Sequence, residues 1–171
     1  GANPVCSARQ LYEFALLGAL TAKELESIEA PSVRLLNVGE ESNKGREDIQ
    51  QAAALLEADP EINYCGYIEG DGIFQGGTDV IVCDGFAGNV ALKTSEGLAT
   101  MVGERFRQAV GRGWLARLAL LLLRRPLLRL KTQLDPALYN GAYFLGLEGV
   151  VVKSHGGASQ MAFVRALEVA T

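Results

Sequence analysis

Residues 79–97, DVIVCDGFAGNVALKTSEG, contain the pattern that decides the fold. A short apolar run ends at Asp84-Gly85, and a helical pattern begins at Asn89 after a small-residue turn. A buried strand, a glycine-containing polar turn and a helix form the unit from which α/β proteins are built. The turn either only reverses the chain or binds an anion, and this stretch alone does not separate the two interpretations.

The same pattern recurs at two other places in the chain. VRLLNV (33–38) precedes the loop GEESNKG, and GVVVKS (149–154) overlaps the loop SHGGAS, while INYCGYIE (62–69) is rich in β-formers. Short, continuously apolar strands that alternate with helices favour a mostly parallel sheet covered on both faces. We therefore expect a three-layer α/β/α fold.

Helix signals separate these strands. Ser7 and Gln10 form a capping-box pattern, which predicts a helix from there to about Glu26. Further helices are expected at about 46–58, 89–110, 136–145 and 158–170. No repeat or linker divides the chain, so we expect one α/β unit or part of one. The opening GANPVC looks like the middle of a loop and lacks a signal-peptide pattern, which favours a fragment or a processed chain.

Composition sets further limits. The 171 residues are 49% hydrophobic and 21% charged, which is ordinary for one globular domain. Cys6, Cys65 and Cys83 are far apart and show no CxxC spacing, so neither a zinc site nor a disulfide framework is indicated, and a reducing cytosol fits. We expect Cys65 and Cys83 to be buried as small apolar side chains.

The polar loops after the strands supply candidate site residues. Loops that follow parallel strands gather at one edge of a sheet, where ligands bind. A helix N-terminus there favours an oxyanion, and lysine suits phosphate. The candidates for a shared cleft are Asn37, Lys44, Asp84, Asn89, Lys93, Ser154 and His155.

Each of these residues also has a purely structural interpretation. Gly85 and Gly88 would then only form the turn, and Lys93 would be an ordinary solvated lysine. Asp84 would cap the following turn, and His155, the single histidine, would be structural. The sequence has no Walker, GxGxxG or GxSxG pattern and no cysteine with an identifiable histidine and acid partner. If the protein is an enzyme, its nucleophile therefore arrives with the substrate.

The segment GRGWLARLALLLLRRPLLRLK (111–131) is both basic and apolar. Its longest apolar run, Leu118 to Leu123, is far shorter than the ~20 residues that a spanning helix needs, and Pro126 interrupts the helical pattern. Two short amphipathic helices are predicted, which would contact an anionic membrane surface, a partner subunit or an acidic protein. The candidate contact residues are Trp114, Leu121 and Leu122 with Arg117, Arg124 and Arg125.

Four stretches together resemble the phosphate acyltransferase family: GANPVCSARQLYEFALLG (1–18), PSVRLLNVGEESNKG (31–45), residues 79–97 and YNGAYFLGLEGVVVKSHGGAS (139–159). These bacterial enzymes convert acyl carrier protein (ACP) thioesters and phosphate to acyl phosphates for glycerolipid synthesis. The resemblance implies that residues 1–171 are the C-terminal portion of one catalytic domain. It also implies an isopropylmalate dehydrogenase-like fold, a homodimer, and no metal or organic cofactor.

The resemblance further implies a cytoplasmic enzyme held peripherally at the membrane by protruding helices at about 105–131, with no nucleic acid partner. Phosphate would itself be the nucleophile, held with the carbonyl oxygen by Lys93 and Asn89 and by the amides after Gly88. The other residues expected around the substrates are Asn37, Lys44, Thr94, Asn140 and Ser154, with His155 as the general acid if one is needed. The arginines of 105–131 would contact ACP.

Three alternatives remain open at this point. A phosphate acetyltransferase that uses acetyl-CoA would also be served by a strand, a turn, Asn89 and Lys93. A dehydrogenase on the related fold is a second alternative, although its metal-binding carboxylates are not evident in the sequence. The third is a membrane-associated scaffold that binds ACP without catalysis.

Overall fold

The computed structural model describes residues 2–109, 121, 123–126, 141–154, 157 and 159–169. The chain divides into two compact units, Gly1–Ser95 and Glu96–Thr171. The candidate cleft lies in the first unit.

A three-stranded sheet forms the centre of the first unit. Its strands are β1 (Val33–Leu36), β2 (Tyr64–Ile68) and β3 (Val80–Val82), in the order β2-β1-β3. Both neighbouring pairs are parallel, with Val33 opposite Tyr64 on one side and Val80 on the other. The carboxyl ends of all three strands therefore meet at one edge, as predicted for the strands at 33–38 and 79–83. The third strand expected at this edge, 149–154, is not in this sheet, and β2 takes part instead.

Two helices cover this sheet. Helix α1 (Ala8–Glu26) begins with the predicted capping box, in which the Ser7 and Gln10 side chains each accept a backbone N–H from the other residue. Helix α2 (Glu47–Glu57) packs on α1, and both contact the sheet. Their apolar faces meet β1 in a continuous core, whose largest fully buried side chains are Leu11, Val33, Leu35 and Leu56. Burial of these side chains stabilises the unit by about 1.5–3 kcal/mol each.

Helix α3 (Gly85–Ala109) begins four residues earlier than the Asn89 start that the sequence suggested. The reason is Asp84, whose Oδ1 accepts a hydrogen bond from the Ala87 backbone N–H at 2.7 Å and so caps the helix. Gly85 and Gly88 lie in the first helical turn, so interpreting them as turn glycines was wrong. Gly88 is packed closely, because a Cβ there would be 3.0 Å from Sγ of Cys83.

The second unit differs from the sequence prediction at two points. Ala142–Tyr143 (β4) is a strand within the predicted 136–145 helix, and Val152–Lys153 (β5) pairs antiparallel with it instead of extending the parallel sheet. Gly141 and Gly146 adopt φ of 111° and 80°, outside the helical region, which ends any helix between them. Residues 136–140 lie outside the described residues. The predicted closing helix is confirmed as α4 (Gln160–Val169).

The three cysteines have different environments. Cys6 is buried and Cys83 is half-buried, but Cys65 is exposed, so its predicted burial was wrong. Cys65 lies on β2, an edge strand of the described sheet, and alternate residues of a strand point to opposite faces. The parallel sheet and its flanking helices confirm the predicted α/β class and are consistent with a three-layer arrangement. The isopropylmalate dehydrogenase-like layout stays a prediction.

Candidate functional site

A cleft of about 590 Å³ opens at the carboxyl edge of the sheet in the first unit. It is bounded by the ends of β1 and β3, the starts of α2 and α3, and one residue of α1. Seven aliphatic side chains border it, and three of them (Leu11, Leu35 and Val82) are almost fully covered by the fold itself; the other four are Leu36, Val38, Ile49 and Ala87. The remaining lining residues are Asn37, Gly45, Arg46, Gly70, Cys83 and Asp84.

Arg46 connects two of the bordering elements. Its Nη1 donates to Oδ2 of Asp84 at 2.9 Å, and its Nε donates to Oδ1 of Asp48 at 3.0 Å, with a second, short contact from Nη2 to the same carboxylate. The hydrogen bonds to Asp48 and then Asp84 raise the pKa of Arg46, and the bond from Arg46 lowers the pKa of Asp48. One cation between two carboxylates leaves a formal charge of −1 at this end of the cleft.

Asp84 has two structural tasks in this arrangement. One carboxylate oxygen caps α3 through Ala87, and the other accepts from Arg46. Its side chain is only 5% exposed, whereas that of Arg46 is 52% exposed. Buried carboxylates of this kind need both hydrogen bonds and a counter-charge. The cap that the sequence offered as the structural interpretation of Asp84 is confirmed.

Asn37 shapes the loop on the β1 side of the cleft. Its buried Nδ2 donates to the Lys44 carbonyl at 3.1 Å, closing the loop between them. Its Oδ1 has no hydrogen-bond partner within the described part of the chain and is shielded from solvent. Gly45 lies directly against that oxygen: φ is +85°, and a Cβ there would approach Oδ1 to 1.9 Å. Two independent features therefore favour glycine at position 45: the positive φ and the close approach of the Asn37 side chain.

Most of the other predicted site residues of the first unit lie outside the cleft. Asn89, Lys93 and Thr94 are exposed on α3, and none of them lines the cleft. Lys44 is exposed on the loop, with its side chain near Gly39. The structure brings Asn37 and Asp84 to one cleft, but it does not bring Lys44, Asn89 or Lys93 into the lining. Gly88 packs against Cys83, which does line it.

The predicted residues of the second unit have a different status. Ser154 is half-buried just after β5. In the amphipathic segment, Leu121, Arg124 and Arg125 are exposed. Five candidates lie outside the described residues: Trp114, Arg117, Leu122, Asn140 and His155. No helix in the described ranges is both long enough and apolar enough to cross a bilayer.

Arg46 is the only cation among the residues that line the described cleft, and it was not among the site residues predicted from the sequence. A signal was present: Arg46 directly precedes a helix whose first turn contains Glu47 and Asp48. The lysine that follows the glycine-rich turn gave the stronger phosphate signal. The partner that defines its role, Asp84, is 38 residues away in sequence.

Comparison with known proteins gives a consistent result over the whole chain. A family model described as "Fatty acid synthesis protein" matches residues 1–171. Similar relatives, each named phosphate acyltransferase, come from Halorhodospira halophila (49% identity over 170 residues), Alcanivorax borkumensis (50% over 170) and Pseudomonas syringae pv. syringae (53% over 169). The alignments cover 98–99% of this chain but only 49–50% of each relative, so the chain spans about half their length.

Proposed function

The chain belongs to the family described as fatty acid synthesis protein, and we propose that the protein containing it transfers an acyl group from ACP to inorganic phosphate. The products are acyl phosphate and free ACP, which supply bacterial phospholipid synthesis. The observation that carries this proposal is the identity of about half the residues, along nearly the entire chain, with proteins named phosphate acyltransferase. Within the proposed enzyme, this chain forms the C-terminal portion of the catalytic domain.

The chemistry requires little from the protein beyond binding and orientation. A phosphate oxygen attacks the carbonyl carbon of the thioester, and an oxyanion develops on the carbonyl oxygen. The C–S bond then breaks, and the ACP thiolate leaves with the bonding electron pair. Because phosphate is the nucleophile, the enzyme needs no nucleophilic side chain, which fits a sequence in which none was identified. Its task is to align the two substrates and to stabilise the oxyanion.

We assign phosphate or the carbonyl oxygen to Asn89 and Lys93. Both lie on α3, within its first three turns, and both are exposed to an incoming substrate. A lysine ammonium favours a dianion, and the Asn89 amide supplies a further N–H donor. The Thr94 hydroxyl belongs to the same assignment, with Lys44, Asn140 and Ser154 as further phosphate or substrate contacts. The amides after Gly88, which the sequence also suggested, lie inside α3 and bond within the helix, so we leave them out of the assignment. His155 protonates the leaving group if this step needs an acid.

Partners and location follow from the amphipathic segment. Leu121 is 65% exposed and Leu123 is 52% exposed, beside exposed Arg124 and Arg125. Exposed leucines next to arginines suit the interface of an anionic membrane, where apolar side chains enter the acyl boundary and cations meet the headgroups. We propose peripheral membrane association through this segment, docking of acidic ACP on its arginines, and a homodimer as the working enzyme.

The proposal is tested by an acyl phosphate assay on the full-length protein that contains this chain, with palmitoyl-ACP as donor and a matched reaction without phosphate. We expect phosphate-dependent acyl phosphate and free ACP in equal amounts. Acetyl-CoA as donor distinguishes the main alternative: turnover with acetyl-CoA but not with palmitoyl-ACP identifies a phosphate acetyltransferase. Binding of ACP without any turnover identifies a non-catalytic scaffold. Either outcome contradicts the proposal.

A further inference from the structure

We infer that the cleft at the carboxyl edge of the sheet binds the aliphatic chain of the acyl donor and not phosphate. This inference rests on the proposed function, because it names the part of the substrate that enters this cleft. It separates two subsites of the first unit: an apolar one in the cleft and a polar one on α3, at Asn89 and Lys93.

The lining of the cleft supports an aliphatic ligand. Seven of its lining side chains are aliphatic, and they come from six different elements or loops that converge on one space. A volume of about 590 Å³ lies within the range of about 300–1,000 Å³ that small-molecule sites have. Each methylene group that leaves water for such an environment gains roughly 0.8 kcal/mol, which is about a fourfold change in affinity. A hydrocarbon chain is the ligand that gains most from these walls.

The charges at the cleft argue against phosphate. Arg46 is the only lining cation in the described cleft, and it is already bonded to Asp48 and Asp84. The formal charge of this group is −1, so the cleft offers a phosphate dianion no net positive charge. Asn37 does not supply the missing attraction for phosphate. Its Nδ2 already donates a hydrogen bond to the Lys44 carbonyl, and its Oδ1 is an acceptor, which a fully ionised oxyanion cannot use.

The position of α3 links the two subsites. Ala87 lines the cleft, and Asn89 lies two residues further along the same helix, which is about 3 Å along the axis. Two residues also turn the helix by about 200°, so Asn89 lies on the side of α3 opposite Ala87, and a chain bound in the cleft would have to carry its thioester round the first turn of α3 to reach it.

Two variants narrow the cleft without disturbing the core. Gly70 lines it, and a Cβ at this position meets no atom within 4 Å, so Gly70→Leu adds volume in open space. Val38 also lines it and is 78% exposed, so Val38→Trp adds volume at the rim without touching the folded interior. The matched control is Gly149→Leu, at a glycine that is equally unobstructed and does not line this cleft.

The experiment measures kcat/KM of the whole-gene product for a series of donors from butyryl to palmitoyl, on ACP and in parallel on coenzyme A. We expect both narrowing variants to lower kcat/KM for long chains by roughly fourfold for each displaced methylene group. Butyryl donors and the KM for phosphate should stay near wild type. If both carriers support turnover, an equal fall in kcat/KM on both locates the effect in the shared acyl chain, whereas a fall on only one of two active carriers places the contact in the carrier and overturns the inference. If only ACP donors are turned over, the chain-length profile on ACP decides alone.

An unchanged chain-length profile in both variants also overturns it, and so does an equal loss for all chain lengths, which would mean that the cleft is filled by protein. A raised KM for phosphate in the narrowed variants would place phosphate in the cleft and contradict the inference. Wild-type protein that makes no acyl phosphate from any donor refutes the proposed function instead, so the two failures are distinguishable.

Discussion

The Arg46 guanidinium donates a hydrogen bond to the buried carboxylate of Asp84 over 2.9 Å, and this contact joins the start of α2 to the start of α3. The same carboxylate caps α3 through Ala87. One buried acid thus fixes the ends of two loops that border the cleft. The pairing with Asp84 also neutralises the positive charge of Arg46. For this reason we place phosphate on α3 and not in the cleft.

Replacing Asp84 should lower the free energy of unfolding in a graded way. Asp84→Ala removes the cap and the partner of Arg46, and we expect a loss of about 2 kcal/mol. Asp84→Asn keeps a side-chain oxygen for the Ala87 N–H and should cost about 1 kcal/mol, since only the charge is lost. Urea denaturation followed by circular dichroism measures both. Equal losses for the two variants would show that the cap contributes nothing.

Gly45→Ala should destabilise the protein more than a positive φ alone explains. The left-handed backbone costs a non-glycine residue about 1–2 kcal/mol, and the new Cβ would in addition clash with Oδ1 of Asn37, 1.9 Å away. Gly76→Ala is the matched control, with φ of +79° and no atom within 4 Å. Thermal unfolding of both variants isolates the clash. If they lose the same amount, Asn37 moves away freely and the loop is not fixed by this contact.

Lys93→Ala should reduce phosphate-dependent acyl phosphate formation by orders of magnitude. The fold should remain intact, because Lys93 is exposed on α3 and alanine is a better helix former than lysine. Lys93→Arg keeps the charge and should retain part of the activity, and Lys44→Ala should have a smaller effect. The initial rate at saturating palmitoyl-ACP is the measurement. Near-wild-type turnover of Lys93→Ala would remove this lysine from the site.

The cysteines should react with a maleimide in a fixed order. Cys65 is exposed and should be labelled first. Burial raises the pKa of the half-buried Cys83 thiol, which lowers its thiolate fraction near neutral pH and slows its reaction. Cys6 is buried and should react only after unfolding. Peptide mass spectrometry over time gives the order, with Cys65→Ser as the control. Labelling of Cys83 before Cys65 would contradict the described position of β2.

Leu121→Glu combined with Leu122→Glu should release the protein from anionic liposomes. Two carboxylates in the apolar part of an interfacial helix are costly to insert and are repelled by the lipid headgroups. Liposome co-sedimentation measures the bound fraction, and Leu20→Glu, an exposed leucine of α1, is the matched control. If the double variant stays bound, the segment is a subunit contact and the membrane assignment is wrong.

Local signals predicted the first unit well, whereas in the described part of the second unit they predicted the closing helix but not the antiparallel pair. The capping box at Ser7, the three apolar runs of the sheet and the helical period of α2 are patterns within a few residues, and the structure confirms each of them. The second unit failed at Gly141 and Gly146, whose backbone angles turn an apparently helical stretch into a short antiparallel pair. Glycine permits helix, strand and left-handed backbone alike, so its sequence context did not decide between them.

The sequence by itself determined the α/β class, the parallel strands, the edge at which their loops gather and the family. These properties depend on hydrophobic period, capping residues and motifs that are local in the chain. Only the tertiary structure decided that Arg46 faces Asp84, that the cleft is apolar with a neutralised cation, and that Asn89 and Lys93 lie outside its lining. The physical reason is that charge neutralisation and enclosure depend on distances between residues from separate elements, and those distances are set by the packing of α1 and α2 on the sheet.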